Sequence, residues 1–318
     1  MKLQLVRAWP ALIALATLYI CLAFAAPAFY APDNLRDIAL ANVADLLVAT
    51  GMTMVIVVGQ IDISVGALFA VCGLICGTLA KLEEPRLLLP LAAAAAGTVL
   101  GAMNGALISF VRVPSIVVTL ATMVTWREAL RWITNGAWIE GLPRTFQWFG
   151  LGQRSGEALI IVSALVLFAA LWWASRNLSA VRAIYATGSD AEAARLAGIP
   201  TKLIVFWVFA VMGTLTGIAA MLNAVRFSDV PANSGINLEL KAIAAVVVGG
   251  TPITGGRGDL VGTLIGVILM GSIGPALVYL GVSPHWEKAA QGAIILSAVL
   301  LDAIRRWRDR RVIFARSL

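Results

Sequence analysis

The feature that most constrains this chain is the length of its uncharged apolar runs. LLLPLAAAAAGTVLGAMNGALISF occupies residues 87–110, and LIVFWVFAVMGTLTGIAAMLNA occupies residues 203–224. A helix rises 1.5 Å per residue, so about 20 such residues cross the hydrocarbon core of a bilayer. Inside lipid, backbone polar groups must be paired within the structure, which leaves helices or closed barrels. Barrel strands alternate apolar and polar residues, whereas these runs are continuous. The composition agrees: 60% of the 318 residues are hydrophobic and 13% are charged. Soluble domains run near half apolar and a quarter charged. The expected fold is an all-α polytopic membrane protein.

Ten spans are expected, at 9–30, 38–59, 64–81, 87–110, 114–134, 158–175, 202–224, 239–252, 260–280 and 287–304. The eighth is short and reads as a half-helix. Broken segments are expected near 60–64 and 249–258. The N-terminal apolar run exceeds a typical signal-peptide core, so it reads as a retained first span. The whole chain, 1–318, reads as one membrane domain. Within it lie a loop at 176–201 and a basic tail at 302–318.

The net charge is +7. In a membrane chain this excess fits the positive-inside rule better than nucleic-acid binding. The tail holds six Arg against two Asp, and the loop from Arg176 to Lys202 holds four basic residues. Placing both in the cytoplasm puts fourteen of the 24 Lys and Arg on cytoplasmic segments, with both termini there. About seven lie outside, and Arg127, Arg131 and Lys241 lie within spans.

Soluble-type catalysis finds no foothold, and no cofactor is expected. His285 is the single histidine, too few for a His-based triad or zinc site. Cys21, Cys72 and Cys76 all lie in apolar runs and read as packing residues. In GGTPITGGRG, Arg257 and Gly258 stand where a nucleotide loop needs Lys and Ser or Thr. Any ATP that powers this chain must therefore bind elsewhere. Small residues recur every fourth position at Gly97, Gly101 and Gly105 and at Gly262 and Gly266. That spacing predicts close helix packing inside the subunit, with dimer contact as the alternative. VVGQIDISVG at 57–66 also aligns with VVGGTPITGG at 247–256. It reads either as an internal echo or as chance similarity among Gly/Val-rich spans.

The loop GSDAEAARLAGIP, residues 188–200, has the marks of a short helix. Ser189 and Glu192 have capping-box spacing, Ala191, Ala193, Ala194, Leu196 and Ala197 favour helix, Gly198 fits a C-terminal cap and Pro200 stops continuation. Its position between two spans favours docking to a partner over an idle surface helix. The polar residues inside the spans are Asp45, Asp62, Ser64, Asn104, Arg127, Glu128, Arg131, Glu239 and Lys241. Ionisable groups in spans are costly and point to function. Asp62 reads either as a cap for the helix opening at Ser64 or as a lining of a solute path. Arg127 either pairs with Glu128 and Arg131 or faces that path. Asn104 reads as an interhelical hydrogen bonder. Glu239 and Lys241 stand at the mouth of the eighth span, where a water-filled entrance would solvate them.

GQIDISVGA, GAMNGALISFVRVPSIVVTLATM, YATGSDAEAARLAGI and LELKAIAAVVVGGTPITGGRGDLVGTLIG together resemble the permease subunits of sugar-type ABC importers. This is the ribose, arabinose and xylose family, with its rhamnose and autoinducer-2 branch. The resemblance covers nearly the whole chain. It implies a second permease copy or paralogue in the lipid membrane, a separate ABC ATPase and a periplasmic solute-binding protein. It implies no nucleic acid, no metal and no enzymatic activity in this chain. EAARLAGI resembles the family's cytoplasmic coupling motif, which carries over Glu192, Ala193, Ala194 and Gly198, with Ser189, as the ATPase-docking element. GQIDISVG and GGTPITGGRG match signatures bordering the translocation path, which carries Asp62, Ser64 and Thr254; with Asn104 and Arg127 these are the path candidates.

Many sugar permeases have Asp where Lys241 stands and Gly where Glu128 follows Arg127. Lys241, NGAWIEGLP at 135–143 and YATG at 185–188 are closer to the rhamnose and autoinducer-2 branch. The expected function is a bacterial inner-membrane permease importing a monosaccharide-like polyol by alternating access. Autoinducer-2 uptake is the alternative within the family. An ion-coupled secondary transporter titrating Asp62 or Asp45 is the rival from another class.

Overall fold

The computed structural model describes residues 2–85, 88–297 and 300. Twelve α-helices order the described residues. They are α1 (Lys2–Ala25), α2 (Pro32–Val57), α3 (Val65–Lys81), α4 (Leu88–Ser109), α5 (Ser115–Thr134), α6 (Gln153–Asn177), α7 (Ser179–Ser189), α8 (Ala191–Leu196), α9 (Thr201–Ala224), α10 (Leu238–Val248), α11 (Leu260–Tyr279) and α12 (286–297). No strand occurs among the described residues; one isolated bridge pairs Ile139 with Val230. Each of the ten expected spans has a helix, and α10 is the half-helix. Only the first part of the tenth span falls on described residues. The basic tail, 302–318, lies outside them.

Five of these helices, α2, α4, α6, α9 and α11, are long and apolar enough to cross a membrane. α2 is buried along most of its length, while α6 leaves Leu159, Val162, Leu165 and Val166 exposed. A soluble fold would bury such a face; on a membrane protein it meets lipid. The two ion-bearing ends of α6 and α2 are pinned by Arg36 Nε, 3.0 Å from the buried Glu157 carboxylate.

The glycine spacings work as helix seams inside the subunit. A Cβ on Gly97 would lie 2.1 Å from Gly213 O, and one on Gly101 would lie 2.3 Å from Phe209 O. Gly105 lies on Phe206 in the same seam, so α4 and α9 touch backbone to backbone. Gly262 and Gly266 do the same for α11, meeting Gly249 at the C-cap of α10 and Ala245 within it.

Two interruptions shape the middle of the bundle. α2 ends at Val57, and residues 60–63 run without helical bonds before α3 opens at Val65. α10 stops at Val248, and residues 249–259 separate it from α11. Its 11 residues are about 16 Å long, roughly half of a 30 Å hydrocarbon core. The start of α10 lies beside the start of α3: a Cβ on Gly66 would lie 2.3 Å from Gly235 O and 2.4 Å from a Glu239 carboxylate oxygen. Both helices therefore begin part-way through the bundle, set back from the end at which α2 and α10 finish. We call that the near end. At the far end, residues 139–148 are stitched to 225–230 by backbone bonds from Leu142 to Ser228 and from Trp148 to Val225.

Candidate functional site

The near end gathers three segments that are distant in sequence: the end of α2, the α10–α11 loop and α7. The Gly256 N–H donates to Val57 O at 2.8 Å. Gly255 packs on Gly59 with a positive φ of 80°, a conformation that favours glycine. Gly188, on α7, lies against the same Val57 carbonyl; a Cβ there would be 1.8 Å from it. The Tyr185 hydroxyl donates to Gly258 O at 3.0 Å, and the Ser189 hydroxyl donates to Gly256 O at 3.3 Å. Burial first, then the charge of Asp259, hold the Tyr185 hydroxyl above its ordinary pKa, so it remains a protonated donor. One short helix thus grips both interrupted segments.

α8 follows α7 after Asp190 alone. Its cap differs from the sequence expectation. Asp190, not Ser189, is the N-cap, and its carboxylate accepts from the N–H groups of Glu192 and Ala193 at 3.0 Å each. Ser189 is the last residue of α7, and its hydroxyl is turned to Gly256. The capping-box spacing misled because Asp190, one residue on, is an equally good cap already in extended geometry. Glu192 makes a two-pronged ion pair with Arg195 instead. That hydrogen bond lowers the Glu192 pKa, so the carboxylate is charged at neutral pH. The C-terminal cap is as expected. Gly198 sits at φ 83°, and its N–H and that of Ile199 bond to Arg195 O and Ala194 O in a Schellman motif. Ala194 is the buried anchor, while Glu192, Ala193, Arg195 and Leu196 face outward, Leu196 with 77% exposure.

Three of the five path candidates come together. Asp62 Oδ1 accepts from the Ser64 N–H at 2.9 Å and the Ser64 hydroxyl at 2.6 Å. Asn104 Nδ2 donates to the Ser64 hydroxyl oxygen at 2.8 Å. All three are fully buried. Asp62 thus satisfies a donor at the opening of α3, and the trio ties that opening to α4. Arg127 is elsewhere: it donates to Ser234 O at 2.8 Å, beside the start of α10. Glu128 pairs with Arg131 at 3.0 Å on an exposed face of α5, apart from Arg127. Thr254 is exposed in the α10–α11 loop. Asn104 was expected to hydrogen-bond between helices, and it does.

This arrangement, with interrupted helices gripped by an exposed capped loop, was compared with known proteins. A family model described as a branched-chain amino acid transport system permease component matches residues 35–299. The chain belongs to this permease family. The ribose import permease protein RbsC of Escherichia coli K12 is 34% identical over 304 residues, covering 93% of this chain and 95% of its own. RbsC of Bacillus subtilis 168 is 36% identical over 279 residues, 87% and 86% of the two chains. The autoinducer 2 import system permease protein LsrC of Salmonella paratyphi B is 32% identical over 262 residues, 81% and 74% of the two chains. No solved structure matches. The permease is a multi-pass membrane subunit of an ABC importer and not itself an enzyme.

Sequence reading missed four residues of the permease that the tertiary structure makes prominent. Tyr185 and Gly188 are in the YATG stretch, but nothing local says that they face Gly258 and Val57. Glu287, the first position of the tenth expected span, was not singled out, yet it lies on Gly274 in the bundle. Only Asp190 carried a signal that could have been read, as a cap residue directly before AEAARL.

Proposed function

We propose that the permease imports a monosaccharide or related polyol by alternating access. ATP hydrolysis on a separate ATPase would be transmitted through residues 176–201. The observation that carries this is the grip of α7 on both interrupted segments, at Val57 and at Gly256 to Gly258. Any tilt of α7–α8 driven from outside must move or break contacts with both. α8 supplies the other half of the device: a capped helix whose outward face, with Glu192, Ala193 and Leu196, is bare in the single chain. The ATPase docks there in this reading, which places the near end and both termini in the cytoplasm. The basic count of the loop supports that side. A periplasmic binding protein delivers solute at the far end, and a second permease, identical or paralogous, completes the membrane part. The ribose and autoinducer-2 names of the relatives support a polyhydroxylated solute.

The reading is tested by isolating the permease from native membranes in mild detergent and identifying what comes with it. A stoichiometric ATPase, lost in Gly198→Asp and weakened in Glu192→Ala, is the expected result. The permease alone, still driving uptake from an ion gradient in proteoliposomes, would hand the function to a secondary transporter.

A further inference from the structure

A cleft opens at the far end between α3, the last turn of α9 and the loop that leads to α10. Its walls include Phe69 and Gly73 on α3, Asn223 on α9, and Phe227, Asp229 and Ser234 on the loop. The cleft measures about 230 Å³ counted out to its open mouth. Its enclosed part has room for about one water. A solute therefore enters edge-on, with one hydroxyl inside and its body in the mouth. Gly73 keeps the floor open, since a Cβ there would already touch Val230 Cγ1 at 3.5 Å.

The loop wall is fixed in advance. Val230 and Ile139 exchange two backbone bonds, at 2.9 and 3.1 Å, and Ser228 O accepts from the Leu142 N–H at 3.1 Å. Arg127 on α5 donates to Ser234 O at 2.8 Å, and the Ser234 hydroxyl donates to Pro231 O at 2.7 Å. Gly235, at φ 71°, rests on Phe69. On this braced frame two half-buried polar side chains are unclaimed. The Asn223 amide has no partner among the described residues, and the Asp229 carboxylate takes only the Ser228 hydroxyl, at 3.2 Å. Phe227 is exposed at the mouth, with the Arg226 guanidinium 5.3 Å from its ring centroid. Small ligands are held by such recesses, mostly apolar with a few oriented polar groups, and a preset wall lowers the ordering cost of binding.

We propose that this cleft is the entry subsite of the permease, where the hydroxyl-bearing edge of a neutral polyhydroxylated solute first binds. An amide offers both N–H donors and a carbonyl acceptor, whereas a carboxylate offers acceptors only. Each hydroxyl of a vicinal pair both donates and accepts, so Asn223 pairs with one and Asp229 accepts from the other. Phe227 supplies an apolar surface for the C–H face of the solute. This rests on the importer reading above and names the side chains that the solute meets on the delivery side.

The test uses the assembled importer with Cys21→Ala, since Cys21 is exposed while Cys72 and Cys76 are buried. Uptake of radiolabelled D-ribose, D-xylose, L-arabinose and L-rhamnose into proteoliposomes first identifies a transported sugar. Ser234→Cys is then labelled with N-ethylmaleimide in nanodiscs, without the binding protein. Gly73→Cys on the facing helix repeats the measurement should the first variant misfold. Labelling is expected to slow at least about fivefold as the transported sugar is titrated in, the mass-action result once sugar exceeds about four times its dissociation constant. Glycine betaine, which has no hydroxyl, is expected to leave the rate unchanged. Asn223→Ala and Asp229→Ala are each expected to remove the protection and lower uptake while the ATPase stays bound. No labelling at either position, no protection by the sugar, equal protection by glycine betaine, or full protection and uptake in both Ala variants would overturn the site alone. Uptake of none of the four sugars by an importer that retains its ATPase would overturn the polyol reading and the site with it, and an absent ATPase would overturn the importer reading.

Discussion

Gly188 lies on the carbonyl oxygen of Val57, so close that a single added methyl group would be 1.8 Å from it. That contact joins the exposed loop to the end of α2 without an intervening side chain. Backbone on backbone, it transmits displacement with little slack, because neither partner has a rotamer to absorb it.

Gly188→Ala must therefore push α7 away from Val57 or strain the end of α2. Overpacking of this kind costs about 1–3 kcal/mol, enough to shift a two-state balance by about fivefold or more. The expected outcome is an importer that assembles with its ATPase but loses about tenfold in uptake per ATP hydrolysed. Coupling ratios in proteoliposomes check this. An unchanged ratio would mean that α7 does not relay motion.

Asp190→Ala removes the carboxylate that holds two N–H groups of α8. Loss of such a cap costs about 1 kcal/mol, a large share of what a six-residue helix can have. ATPase retention in detergent should weaken, Asp190→Ser should restore it, and Ser189→Ala should cost far less, since its bond to Gly256 is 3.3 Å long and exposed.

The Glu192–Arg195 pair sets a pH expectation. The folded-state pKa of Glu192 is lowered by the Arg195 hydrogen bond. Its contribution is thus fully present above the ordinary Glu value and is lost as pH falls through the lowered one. ATPase retention should not vary between about pH 6 and 8 on this account, and Glu192→Gln should match wild type only in strong acid. A retention profile that falls with the same midpoint in wild type and Glu192→Gln would discard this pair as the cause.

Asp62 separates two rival transport classes. As an acceptor for Ser64 it can be replaced by Asn, which keeps a carbonyl oxygen at Oδ1. Asp62→Asn should retain most uptake, whereas Asp62→Ala should lower thermal stability by about 1–3 kcal/mol through the orphaned donor. Uptake abolished by Asp62→Asn with stability intact would mark Asp62 as a titrating site and favour ion coupling.

The α4–α9 seam gives a stability contrast. Gly213→Ala would press a methyl 2.0 Å from Gly97 O, whereas Gly152→Ala meets nothing within 4 Å. Melting in detergent should fall by several degrees for the first and barely move for the second.

Much of this was legible along the chain because it depends on local runs. Span length, the half-length of α10, the breaks after Val57 and Val248 and the Schellman end at Gly198 are each set by a few neighbouring residues and by what a backbone requires in lipid. The apolar runs alone determined an all-α membrane protein, and the glycine spacing determined that helices would approach closely. Partnership was different. Asp62 was ambiguous until Ser64 and Asn104 closed around it, and Arg127 joined Ser234 rather than the acid next to it in sequence. Glu287 met Lys241 across 45 intervening positions, through helices whose rotation no local pattern fixes. A periodic sequence says which residues share a face; only the packed bundle decides which faces meet, because that choice is made by fit between surfaces remote in the chain.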